Sequence, residues 1–137
     1  MYVETFLLCD AARTDEWGRI DVQGQYHALS APGFPAQHDI VLLLVLQWDR
    51  GDHGRYDFAV EMIPPDGTAP KYAVRGQTEV STTAPERPRA RTTLIQPMKE
   101  VIFETPGEYR FHLKVKGRVF EGPRLFLLEG EPADAPA

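Results

Sequence analysis

Residues 103–115, Phe-Glu-Thr-Pro-Gly-Glu-Tyr-Arg-Phe-His-Leu-Lys-Val, constrain the fold of this chain more than any other stretch. Past the Pro106-Gly107 turn, Tyr109, Phe111, Leu113 and Val115 alternate with Glu108, Arg110, His112, Lys114 and Lys116. A period of two with one apolar face is the pattern of a half-buried antiparallel strand. It reads as a central strand of a β-sandwich.

The rest of the chain falls into strands of similar length. The first covers residues 2–11, where Phe6, Leu7, Leu8 and Cys9 blur the alternation and predict cover on both faces. Turn chemistry at Thr14–Gly18 leads to a second strand over 19–30, with Gly24 marking a bulge or a close backbone approach. The third, 38–48, contains the unbroken apolar run Ile40–Leu46 and reads as buried on both faces. Strands over 55–63, 71–80, 91–103 and 118–128 complete the set, with the strand at 91–103 interrupted near Pro97. Lys116-Gly117 predicts a tight hairpin turn. Pro123 predicts an edge position for the last strand, and polarity predicts the same for 71–80. Residues 129–137, acidic and rich in Pro, are expected to be a disordered tail after a single domain over 1–128.

No segment keeps a helical period over three turns. The expected fold is therefore all-β, an antiparallel β-sandwich of about eight strands. The Pro106-Gly-Glu-Tyr109 entry looks like the tyrosine corner of immunoglobulin-like domains, in which the hydroxyl bonds back to nearby backbone. Phe111 stands where such a domain carries a disulfide cysteine, so the expectation is an immunoglobulin-like variant with no disulfide. Three stretches together carry a further likeness: Phe6-Leu-Leu-Cys-Asp-Ala-Ala12, Gly18-Arg-Ile-Asp-Val-Gln-Gly24 leading to Phe34-Pro35, and Pro106-Gly-Glu-Tyr109. On these the chain resembles a family of small uncharacterised bacterial proteins, a domain of unknown function, up to about residue 128. The resemblance implies the β-sandwich and a bacterial, non-secreted protein, and it transfers no catalytic residue.

A net charge of −5 disfavours a general nucleic-acid binder. Cys9 is the only cysteine, which fits a reducing cytoplasm. The amino terminus lacks a basic region and a cleavage site, and Ile40–Leu46 is too short to span a bilayer. The expected location is cytoplasmic, with no membrane partner.

The candidate chemistry is sparse. Asp49, Asp52 and His53 crowd one loop, as a cation site or as a solvated turn. His27, His38, His53 and His112 make no zinc spacing, and no metal or other cofactor is expected. Cys9 sits among apolar residues that disfavour a thiolate, and Ser30 and Ser81 lie in no nucleophile motif, so no catalytic residue is assigned. Arg87, Arg89 and Arg91 form a short basic run with Pro85 and Pro88 that suits a phosphate or an acidic partner, or a solvated connector. Trp17, inside an acidic turn, is the aromatic best placed for a ligand, and Trp48 reads as core.

Alternation of strand direction places the loops 12–18, 49–54, 81–90 and 116–117 at one end. That end would gather Trp17, His53, Asp49, Asp52, Arg87 and Arg89 as a binding surface. The functional expectation is a non-enzymatic protein that binds a protein partner or itself, the latter as a homodimer. The rivals are a small enzyme with a site near His53 and Asp10, and a carbohydrate or small-ligand module using Trp17.

Overall fold

The computed structural model describes residues 1–130. Its nine strands are β1 (Tyr2–Thr14), β2 (Ile20–Gln25), β3 (Ala28–Ala31), β4 (Ala36–Gln47), β5 (Gly54–Ile63), β6 (Tyr72–Val80), β7 (Arg91–Phe103), β8 (Gly107–Val115) and β9 (Arg118–Glu129). They form a four-stranded sheet, β2-β1-β4-β7, and a five-stranded sheet, β3-β9-β8-β5-β6, curled into a half-barrel. The fold is all-β and carries no disulfide.

The alternating stretch does what its period requires. On β8, Tyr109, Phe111, Leu113 and Val115 are buried, and they meet Leu8, Ile40, Leu42, Leu44 and Leu46 of the other sheet in one core. The Tyr109 hydroxyl donates to the Thr105 carbonyl at 2.7 Å and receives the Thr105 amide at 3.4 Å. Its ring stands edge-on to Phe103 at 5.0 Å. Lys116 and Gly117 take φ of 53° and 68°, as a two-residue hairpin turn of the favoured hand needs.

The expected strand over 19–30 is two strands on different sheets. The Tyr26 amide still bonds to Leu8 of the four-stranded sheet, while the His27 carbonyl already accepts the Phe126 amide of the five-stranded one. The chain changes sheets within one residue, after Gly24 turns it with a φ of 65°. β3 then runs parallel to β9, the one parallel pairing among the described residues.

That pairing corrects the reading of β9 as an edge. β9 lies between β8 and β3, but β3 reaches only Phe126–Glu129. Pro123 sits where β9 has β8 alone beside it and where the β8–β9 register shifts, so its missing donor leaves no ladder bond unmade. The sheet edges are β2, β7, β3 and β6, the last as expected. Pro97 interrupts nothing: β7 is continuous, and Pro97 pairs with Val41 on an edge strand. The irregularity lies just beyond it, where Glu100 takes a φ of 56° and its amide donates to Asp39 at 2.8 Å. Opposite it, the β4 register shifts between His38 and Ile40.

Two contacts close the sides of the core. The Phe6 ring occupies the space a side chain would need at Gly122, joining β1 to β9. Thr78 and Thr92 share a 2.8 Å hydrogen bond between β6 and β7. β9 extends to Glu129, one residue into the expected tail, and residues 131–137 of that tail lie outside the described residues.

Candidate functional site

The registers fix which loops share an end. Tyr2 at the start of β1 pairs with Gln47 at the end of β4, so the loop after β4 lies beside Met1. The β1–β2 turn lies at the far end of β1, where Thr14 pairs with Ile20. Trp17 and His53 are therefore at opposite ends, and the expected grouping of loop 12–18 with the loops 49–54, 81–90 and 116–117 is wrong. The reason is the break at Tyr26 and His27, which adds one reversal of direction that a single strand over 19–30 lacks.

At the end that holds His53, the charges satisfy one another. Asp49 accepts from the Met1 amino group at 2.5 Å and lies 3.9 Å from Arg89. Asp52 accepts the Asp49 amide at 2.9 Å and the Lys116 ammonium at 2.7 Å. Burial alone would push the Asp52 carboxyl up, but Lys116 and the Asp49 amide hold it below the usual range. Asp52 in turn raises the pKa of Lys116. Arg50 donates to the carbonyls of Ala84 and Arg87, tying the 81–90 loop down. Under this layer Trp48 stacks on Tyr56 at 4.7 Å and donates to Thr92 at 2.9 Å. Of the candidates here, Asp49, Asp52 and Arg89 thus hold loops together and Arg87 contributes its backbone, while exposed His53 lies 3.5 Å from Thr82.

Trp17 is 76% exposed at the opposite end. Asp15 shapes its turn by accepting the amides of Trp17 and Arg19 at 2.8 and 2.9 Å. Cys9 is fully buried, and burial pushes its thiol up, away from a nucleophile's range. Asp10 lies on β1 against Gly24, on the opposite side of the strand from Cys9 and away from His53.

A surface that the sequence reading did not single out lies on the outer face of the four-stranded sheet. Three neighbouring rungs cross β1, β4 and β7: Thr5–Val45–Thr93, Leu7–Leu43–Ile95 and Cys9–Val41–Pro97. None of these nine residues carries a charge at neutral pH. Leu43, Val45 and Cys9 are buried yet lie outside the core, shielded only by their neighbours in the sheet. Leu7, Val41 and Ile95 are half-buried, and Thr93 and Pro97 are exposed. The rim carries ion pairs: Glu4–Arg91 at 2.7 Å, Arg13–Asp21 at 3.5 Å and Asp39–Lys99 at 3.8 Å. The signal was present in the unbroken run Ile40–Leu46, which predicted cover on both faces. Among the described strands, none packs over the second face.

The outer face of the other sheet is charged. Lys114 pairs with Glu61 at 2.8 Å, and Glu108 holds Arg110 and Arg124 at 3.1 and 3.6 Å. Asp57, Arg75, Gln77 and Lys114 ring a shallow depression beside Ala59. No described helix is long and apolar enough to cross a membrane. Compared with known proteins, residues 4–125 match DUF6941, a family of unknown function, and no curated protein matches the chain.

Proposed function

The chain belongs to DUF6941, and from that premise we propose that it is a non-enzymatic, cytoplasmic binding protein built as an immunoglobulin-like β-sandwich without a disulfide. The carrying observation is the uncharged outer face of β1, β4 and β7, three rungs deep and uncovered by any described strand. A face of this kind gains stability by removing apolar area from water, at roughly 25 cal/mol per Å². Contiguous apolar surface rimmed by charge is the usual form of a protein contact site. The strand order, the β3–β9 pairing and the Tyr109 hydrogen bond support the immunoglobulin-like reading. The loop end with Asp49, Asp52, Arg87 and Arg89 becomes a structural clasp in this reading, because its acids and its tethered backbone are already partnered internally. Exposed Trp17 supports a second, separate ligand contact for the C–H face of a sugar ring or for a planar group.

The test is photo-crosslinking in cells from single positions carrying benzoyl-phenylalanine. Crosslinked products are expected from position 95, on the uncharged face, and not from position 75, on the charged one. Products from 75 or from 53, with none from 95, overturn the assignment.

A further inference from the structure

We propose that β6 pairs antiparallel with β6 of a second copy of the chain, about a twofold axis at Gln77, joining the two five-stranded sheets into one continuous sheet. This seam lies on the other sheet from the uncharged face and does not depend on it. Its first support is a contrast among the four sheet edges. An edge strand exposes unpaired backbone donors and acceptors, and chains blunt such edges with short length, bulges or proline. β3 is four residues long. β2 is six, with Gly24 turned to a φ of 65°. β7 carries Pro97 and the left-handed Glu100. β6 has none of these devices. It runs nine residues with no proline and no positive φ, in unbroken register with β5 from Tyr72 to Val80. An interior glycine ordinarily weakens a strand, but here the Phe58 ring fills the place of a side chain at Gly76.

Charge then says which strand fits this edge. Ala73, Arg75, Gln77 and Glu79 are exposed along β6, so its charges are one base and one acid. Arg75 joins none of the ion pairs among the described residues, whereas Glu79 is held by Arg55. Both Arg55 donors, Nε and Nη2, reach the same oxygen, Oε1, at 3.2 and 3.1 Å, and among the described residues Oε2 has no partner. Residues directly opposite in an antiparallel pair share a face, so a twofold axis between two like strands passes through a residue. An axis at Arg75 sets base on base, and one at Glu79 sets acid on acid. An axis at Gly76 puts Arg75 opposite Gln77, and one at Thr78 puts it opposite Ser81. Among positions 75–79, only the axis at Gln77 places Arg75 opposite Glu79, and the twofold makes that pair twice. Glu79 then stands between Arg55 of its own chain and Arg75 of the other copy.

On the inner side the same register sets Val80 opposite Val74 and Thr78 opposite Gly76, with no charge among them. The ladder runs from Val74 to Val80, about 23 Å at strand rise. Main-chain hydrogen bonds hold it, and the Arg75–Glu79 pairs fix its register. A contact one strand wide buries less than a standard interface, so the dimer should be weak, with a dissociation constant of roughly 100 µM.

Sedimentation equilibrium of the purified chain at about 500 µM, above that constant, should give a mass well on the way to twice that of the chain. Glu79→Arg and Arg75→Glu, each alone, set like charges opposite one another at both ends of the ladder and should raise the dissociation constant about tenfold or more. Mixed in equal amounts, the two variants should associate again, because one then carries two bases where the other carries two acids. The double variant Arg75→Glu/Glu79→Arg should dimerise as the wild type does. Both positions are exposed, and unchanged circular dichroism melts establish that the variants are folded. Gln77→Cys, at the axis, should be joined to its own copy by a short bis-maleimide. Benzoyl-phenylalanine at position 75 removes the Arg75 charge and with it the seam, so no product is expected from that position on this account either. A monomeric wild type at this concentration overturns the self-pairing. A dimer that survives both single substitutions overturns β6 as the seam. Failure of the mixture to associate, or of position 77 to crosslink, overturns the register.

Discussion

The two outer faces of this molecule are made of the same strand geometry and opposite chemistry. On the five-stranded sheet, β8 alternates strictly, and its outward residues are Glu108, Arg110, His112 and Lys114. On the four-stranded sheet, β4 sends Leu42, Leu44 and Leu46 inward and Val41, Leu43 and Val45 outward. The first pattern yields a wetted face covered by ion pairs, each contributing little stability of its own. The second yields a face already partly dry, in which Leu43 is as buried as a core residue although none of the described strands covers it. A strand apolar on both faces thus marks a sheet with two surfaces to bury, and here the described strands cover only one of them.

The contrast can be broken by exchanging chemistry between the centres of the faces. Leu43→Asp puts an unpaired charge among Leu7, Ile95 and Val45 and should cost about 3 kcal/mol or more. Glu61→Leu removes a buried carboxylate that faces Lys114, and it should change stability by less than about 1 kcal/mol in either direction. Urea titration of both variants measures the difference, and equal effects would mean that the faces do not differ in kind. A smaller effect probes the core that the faces share. Tyr109→Phe leaves the Thr105 carbonyl without its donor and should lower stability by about 1–3 kcal/mol. An unchanged urea midpoint would show that this hydrogen bond contributes nothing to the packing between the sheets. The smallest effect lies at the clasp. Asp52→Asn should cost about 1 kcal/mol at pH 7 through weaker contacts with Lys116 and the Asp49 amide. Because the folded state holds the Asp52 carboxyl below its ordinary value, its contribution is complete above about pH 4 and fades as pH falls through the lowered value. Melts from pH 7 to pH 2 should therefore bring variant and wild type together at the acid end, and a gap that stays constant would assign the loss to shape alone.

Local chemistry was readable in the sequence wherever the partner was close along the chain. The β8 alternation, the Lys116-Gly117 turn and the Tyr109 bond to Thr105 each involve residues within one strand or one turn. What escaped depends on distant partners. Asp49, Asp52 and His53 resemble a site because they are adjacent, yet Asp52 is completed by Lys116, 64 positions away, and Asp49 by Met1, 48 positions away. Gly24 signalled an irregularity, but nothing near it says that the chain leaves one sheet at Tyr26 and enters the other at His27. That single crossing moved Trp17 to the far end. The uncharged face was visible as an apolar run, but its lack of cover is a property of the other strands.

The kink where Asp39 holds the Glu100 amide has a consequence for how the chain finds its alignment. A strand with one greasy side can pair in only one way, because sliding by a single residue would turn its leucines outward. β4 has no such protection: a slide would exchange Leu42, Leu44 and Leu46 for Val41, Leu43 and Val45, and the interior would still be hydrocarbon. The extra residue at Lys99 and Glu100 acts as a notch. It fits β4 only where Asp39 stands opposite, so a carboxylate at the surface decides which set of aliphatic side chains becomes the interior.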